Sequence, residues 1–151
     1  MKLIELLDSK YEWDGFYKEN DSHYVTRFTT DDGEEVEANI IHWSGAWEIE
    51  FSRDGTHGLT GAGDAIKIFG TILDIIKEFI DSENPKFITF SSKLDEESRV
   101  KFYRRFAKKI ESFGYKDISD ADLSKYDKQI QTIVQRKGSK HFLLVRKDLV
   151  S

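Results

Sequence analysis

The stretch from Asp54 to Asp64 holds glycine at positions 55, 58, 61 and 63 and leads directly into a segment with a helical apolar period. Closely spaced glycines let successive backbone N–H groups converge without side chains in the way. A helix N-terminus behind them adds partial positive charge. Such a loop is chemically suited to phosphate oxygens. The spacing Gly58-x-x-Gly61-x-Gly63 is not that of a dinucleotide-binding turn, and no Lys-Ser/Thr pair follows as a nucleotide P-loop requires. The same residues would also serve as a flexible strand-to-helix connection. Asp64, whose carboxylate competes with phosphate for the N–H groups, would equally serve as an ordinary helix N-cap.

Other chemistry is narrowed by what the chain contains. There is no Cys, which excludes a thiolate nucleophile, a disulfide framework and a zinc–thiolate site. His23, His42, His57 and His141 are scattered without ligand spacing, so no metal site is expected, and His57 alone lies within the glycine-rich stretch. A basic run from Arg99 to Lys109 includes Lys101, Arg104, Arg105 and Lys108. It would hold an anion or a partner, or form the solvated side of an amphipathic helix. The net charge of −5 argues against a nucleic-acid binder that works by neutralising phosphates. The apolar stretches are interrupted by Lys, Asp or Glu, and Met1 to Glu5 carries an early acid, so neither a membrane span nor a signal peptide is expected. A cytoplasmic location follows as an expectation.

These groups need a frame. A length of 151 residues fits one domain, and an aromatic content of 13% supplies a core despite 34% charged residues. Residues 1–8 would form a short amphipathic helix through Leu3, Leu6 and Leu7. From Tyr11 to Phe51 the pattern predicts an antiparallel meander of about three strands. Tyr24–Thr29 is followed by a turn at Asp31-Asp32-Gly33. Val36–Trp43 returns to a turn at Ser44-Gly45, and Ala46–Ser52 follows. In that last strand Trp47, Ile49 and Phe51 share one face and Glu48, Glu50 and Ser52 the other. Ile68, Ile72, Ile75, Ile76 and Phe79 predict a helix from about Ala65 to Ile80, stopped by Asn84-Pro85. Phe87–Ser91 reads as a strand. A second helix, capped at Asp95, runs from Glu96 to Phe113 through Val100, Tyr103, Phe106, Ala107 and Ile110, and Gly114 closes it. Tyr115–Ile118 reads as a strand. Residues 122–137 fit a helix through Leu123, Tyr126, Ile130, Ile133 and Val134 better than the rival hairpin around Gly138-Ser139. Phe142–Val145 closes the chain as a strand.

The unit of strand, glycine-rich loop, helix, strand, helix resembles the cofactor-binding core of the GNAT acyltransferase superfamily over roughly Ala46 to Tyr115, plus the last strand. Gly61-Ala62-Gly63 is similar to that family's pyrophosphate loop, with Gly58 standing where the family usually has Arg or Gln. Phe102-Tyr103-Arg104-Arg105-Phe106 resembles its aromatic helix motif, here with the closing glycine at 114. The resemblance implies a mixed α/β (α+β) fold in which an antiparallel meander precedes a β-α-β-α core and a C-terminal strand. Small chains of this arrangement also occur as phage-like proteins, for which the compartment would be the bacterial host cytoplasm.

For function, the resemblance implies acetyl transfer from acetyl-CoA to a primary amine by direct attack. Gly58, Leu59, Thr60, Gly61, Ala62, Gly63 and Asp64 would bind the cofactor. Tyr103 would protonate the departing thiolate, a task suited to a group whose ordinary pKa is about 10. Glu48 or Glu50 would deprotonate the amine. The plainer roles for these residues are a core aromatic and the solvated face of a strand. The alternative function is a non-catalytic scaffold that binds another protein.

Overall fold

The computed structural model describes residues 10–43, 45–53, 65–91, 97–118, 124, 128–137 and 141–150. Residues 1–8, the glycine-rich stretch 54–64, Asp95, Leu123 and Tyr126 lie outside the described residues. The strands are β1 (Tyr17–Asn20), β2 (His23–Thr29), β3 (Glu35–Trp43), β4 (Ala46–Arg53), β5 (Phe87–Ser91), β6 (Tyr115–Asp117) and β7 (His141–Arg146). The helices are α1 (Ala65–Glu83), α2 (Glu97–Glu111) and α3 (Lys128–Lys137). The strands form one mixed sheet in the order β1-β2-β3-β4-β5-β7-β6. β4 and β5 are parallel, as the intervening helix requires, and every other neighbouring pair is antiparallel.

The meander has four strands rather than three. The added strand, β1, is exposed at all four positions, so it carries no apolar alternation that a sequence pattern would reveal. Residues 11–16, expected to begin the strand region, make no ladder and instead form a strap across α1. The Tyr11 N–H donates to Thr71 Oγ1 (2.7 Å) and the Trp13 indole donates to Asp74 (2.9 Å), while Lys10 pairs with the same carboxylate (3.1 Å). The turns follow their sequences: Gly33 (φ 81°) and Gly45 (φ 88°) occupy positions that disfavour other residues.

Register assigns each side chain to a face. Pairing of Ile40 with Ile49, Ala38 with Phe51 and Ile88 with Trp47 lines up one apolar face, which α1 covers with Ile68, Ile72, Ile75, Ile76 and Phe79. Burying each of these side chains contributes about 1.5–3 kcal/mol. α1 starts at Ala65, immediately after Asp64, and ends at Glu83, after which Asn84 takes a left-handed conformation (φ 45°) ahead of Pro85. α2 lies beside α1 and stacks Phe106 on Phe69 (4.4 Å) and Phe90 (6.1 Å). It ends two residues before Phe113, and Gly114 turns the chain at φ 102°.

The opposite face has a second, smaller core in which Ile130 of α3 meets Ala46, Phe87, Ile118, Leu143 and Val145. β5 is therefore covered on both sides, and residues 87–90 are all buried. Residues 128–137 are helical, which removes the hairpin alternative. Among the described residues no helix is long and apolar enough to cross a membrane.

The junction of α1, β5 and β6 is closed by Tyr115, whose hydroxyl donates to the Pro85 carbonyl from a buried position. Burial pushes the Tyr115 phenol up to about 12. A folded-state pKa above the unfolded value contributes stability that is complete below about pH 10 and is lost as pH rises toward 12. Tyr115→Phe should cost about 1–2 kcal/mol at neutral pH, because the carbonyl loses its donor. In denaturant titrations it should also weaken the alkaline loss of stability that the wild type shows.

Candidate functional site

The sequence places its candidate chemistry where β4 leaves the sheet for α1, and the described part of that region is the seam between β4 and β5. The two strands pair at Trp47 with Ile88, Glu48 with Thr89 and Ile49 with Phe90. β4 then continues to Arg53. Glu50 is the first residue past the last paired position, and it points away from the helical layer, as does Glu48. Both side chains are half-buried. The Trp43 indole, at the end of β3 and 42% exposed, donates to Glu48 Oε2 at 2.6 Å. Directly beside Glu48, the Thr89 side chain is 0% exposed and its hydroxyl has no hydrogen-bond partner. A buried unpartnered hydroxyl is uncommon, and Thr26 of β2 is a second case.

Tyr103 sits on the other side of the sheet. Its residue is 6% exposed, and its ring packs on Phe90 (5.6 Å) and Phe106 (6.4 Å) within the helical layer. Glu48 and Glu50 are thus brought together on one face, and Tyr103 stands on the opposite one, with β5 between them. Gly58, Leu59, Thr60, Gly61, Ala62, Gly63 and Asp64 lie outside the described residues, as does His57. His42 rests on the Trp47 ring (4.9 Å) at the exposed edge of the apolar face.

The face that carries Glu48 and Glu50 extends over β3 and β2 as a chain of polar contacts that the sequence reading did not single out. His23 Nε2 lies 2.8 Å from Asn39 Oδ1, the Asn39 amide donates to Glu37 (2.9 Å), and Arg27 donates to the other Glu37 oxygen (2.9 Å). Its signal was present in the alternation Glu35, Glu37, Asn39, which puts polar groups on one side of β3. Thr89 had no such signal, since a β-branched residue in an apolar strand reads as packing. The hydrogen bond from Asn39, with that from Arg27, holds the Glu37 carboxyl below its usual value against the opposing effect of burial.

An open groove of about 710 Å³ lies at the end of the sheet where β4 exits, with Tyr11 and Phe28 in its floor and Arg27, Glu35 and Lys67 on its walls. Its cations are already engaged: Lys67 pairs with Asp31 (3.5 Å) and covers the Tyr11 ring (4.2 Å), Lys10 pairs with Asp74, and Arg27 with Glu37. Comparison with family models, curated proteins and solved structures finds no match for this chain.

The polar chain sets a pH dependence. Because the folded-state pKa of Glu37 is depressed, its contribution to stability is present above the ordinary carboxylate range and is lost as pH falls through the depressed value. Asn39→Ala should raise the Glu37 pKa in a carboxyl-carbon NMR titration and shift the onset of acid destabilisation to higher pH.

Proposed function

We propose that the chain is an N-acyltransferase that moves an acetyl group from acetyl-CoA to a primary amine by direct attack, in the manner of the GNAT superfamily that residues 46–115 resemble. The observation that carries this proposal is the parallel β4–β5 seam. Its two strands are joined through a glycine-rich sequence and α1, and its pairing stops at Ile49 and Phe90 while β4 runs on. Strands that part in this way leave room for an extended ligand between them.

The cofactor would supply an activated acyl group; the chain's own residues would position it and manage protons. Backbone N–H groups between Leu59 and Asp64 would take the pyrophosphate, with the start of α1 at Ala65 adding its dipole. Glu50, or Glu48 through a water, would remove a proton from the amine on the strand face where both reside. Tyr103 would return a proton to the departing thiolate from the helical face. The amine would bond to the carbonyl carbon along one direction as the C–S bond breaks along another, so a base and an acid on opposite faces of the seam suit direct transfer. Proximity would supply much of the rate, with no covalent enzyme intermediate.

A second proposal is a non-catalytic scaffold with the same frame. Gly58 in place of the family's Arg or Gln favours it, as does the burial of Tyr103 among Phe90 and Phe106.

Calorimetry separates the two. Gly61→Asp or Gly63→Asp should abolish binding of CoA and acetyl-CoA while leaving the melting transition in place, because a carboxylate blocks the backbone approach and repels phosphate. Equal affinities of variant and wild type would remove the loop from the site. Tyr103→Phe should lower turnover roughly a hundredfold or more, with acetyl-CoA affinity nearly unchanged, as expected for loss of a general acid. Full activity in that variant would leave Tyr103 with a packing role alone.

A further inference from the structure

Between Tyr103 and Ile110 the two sides of α2 separate completely by chemistry. Tyr103, Phe106, Ala107 and Ile110 are buried, and every exposed position is a cation: Arg104, Arg105, Lys108 and Lys109. Among the described residues, none of the four side chains has a carboxylate within ion-pair distance. Elsewhere in this chain of net charge −5, Lys10, Lys18, Arg27, Lys67 and Arg146 each hold an acid. Lys108 and Lys109 gain something from the C-terminal end of the helix dipole, which favours positive charge in the last turn. Arg104 and Arg105 lie a turn earlier, beyond the short reach of that effect, and have no acid partner among the described residues.

We propose that this face of α2 is a docking surface for an acidic helical segment of a partner protein. The spacing selects the partner's chemistry. Arg104 with Lys108 and Arg105 with Lys109 form two rows of i, i+4 neighbours, with about 6 Å between members of a row. Glutamates four residues apart on a facing helix present carboxylates at the same interval, and a guanidinium fork binds a carboxylate in a fixed geometry that a lone ammonium lacks. Nucleic acid is the poorer match. The patch is only about two turns long, no aromatic side chain is exposed between its cations for a base to stack on, and the rest of the molecule is net acidic. The proposal goes beyond acyl transfer and stands or falls separately from it, since it uses neither the glycine-rich stretch nor the β4–β5 seam.

The test is fluorescence anisotropy of the full chain with three labelled probes: a helical peptide carrying glutamates at i, i+4 spacing, the same peptide with lysine in place of glutamate, and a short DNA duplex. The glutamate peptide should bind at about 0.05 M salt and weaken at 0.15 M, as expected for exposed charges. The lysine peptide and the duplex should bind at least tenfold more weakly. Arg104→Glu combined with Arg105→Glu, Lys108→Glu and Lys109→Glu should reduce affinity for the glutamate peptide tenfold or more, since each exposed pair is worth a few-fold. If that variant fails to fold, Arg104→Gln with Arg105→Gln should still give a several-fold loss with an unchanged melting temperature. Four results would overturn the proposal: no binding of the glutamate peptide, binding that survives both variants, duplex binding as tight as the peptide's, or displacement of the peptide by CoA. The last would assign the face to a phosphate-bearing ligand, and CoA affinity measured alone would still report separately on acyl transfer.

Discussion

Parallel neighbours in a sheet cannot be joined by a tight turn, because the chain leaves one strand at the end opposite to where the next begins. The connection from β4 to β5 must therefore travel back along the sheet, and α1 is that return path. Its length, nineteen residues, matches the need to recross the strands, and its isoleucine stripe must then rest on whatever face it crosses. Much else is a consequence. β3 and β4 turn Ile40, Ile49 and Phe51 toward α1, α2 takes the space beside it, and the strap from Lys10 to Phe16 is tied to Thr71, Asp74 and Phe79 of α1.

Because one face is committed to the helices, the polar side chains of β2, β3 and β4 collect on the other. α3 covers only part of that second face, over Ala46, Phe87, Leu143 and Val145. The half-buried acids Glu37, Glu48 and Glu50 and the amide of Asn39 occupy the strands beyond it. Exposed ion pairs here contribute little to stability individually. What the polar chain from His23 to Arg27 does is fix side-chain orientation, since each group has its direction set by a neighbour at hydrogen-bonding distance.

The elements legible in the sequence were those whose own residues carry their boundaries. Ile68 to Phe79 repeat at the helical period, Asn84-Pro85 ends α1, and Gly114 ends α2 with the left-handed turn its lack of a side chain allows. β5 was legible in full, from Phe87 to Ser91, because Pro85 before it resets the chain. What was not legible depends on partners. β1 is a strand only because β2 lies beside it, and Tyr11, Trp13 and Phe16, aromatic enough to suggest a strand, serve a helix about sixty residues away. In the candidate site, alternation in β4 placed Glu48 and Glu50 together. That Tyr103 lies across the sheet from them is a property of the assembled layers, and the same holds for Thr89, whose isolation arises from the strands on either side.

The strap also constrains the order of events in folding. Tyr11, Trp13 and Phe16 find their partners at Thr71, Asp74 and Phe79, so the loops that these contacts close span some sixty residues. Closing loops of that length costs chain entropy before any contact compensates for it, and contacts of high sequence separation slow a transition state that depends on them. During synthesis the strap emerges long before α1, while the β2–β3 and β3–β4 hairpins can pair as soon as they are made. Until then Tyr11 and Phe16 have Phe28 and Tyr24 of β2 to rest on, while Trp13 lacks its hydrogen-bond partner. Late docking of this segment is the kinetic counterpart of its position, and it makes Trp13, an indole whose hydrogen bond exists only once α1 is in place, a natural optical reporter of the final step.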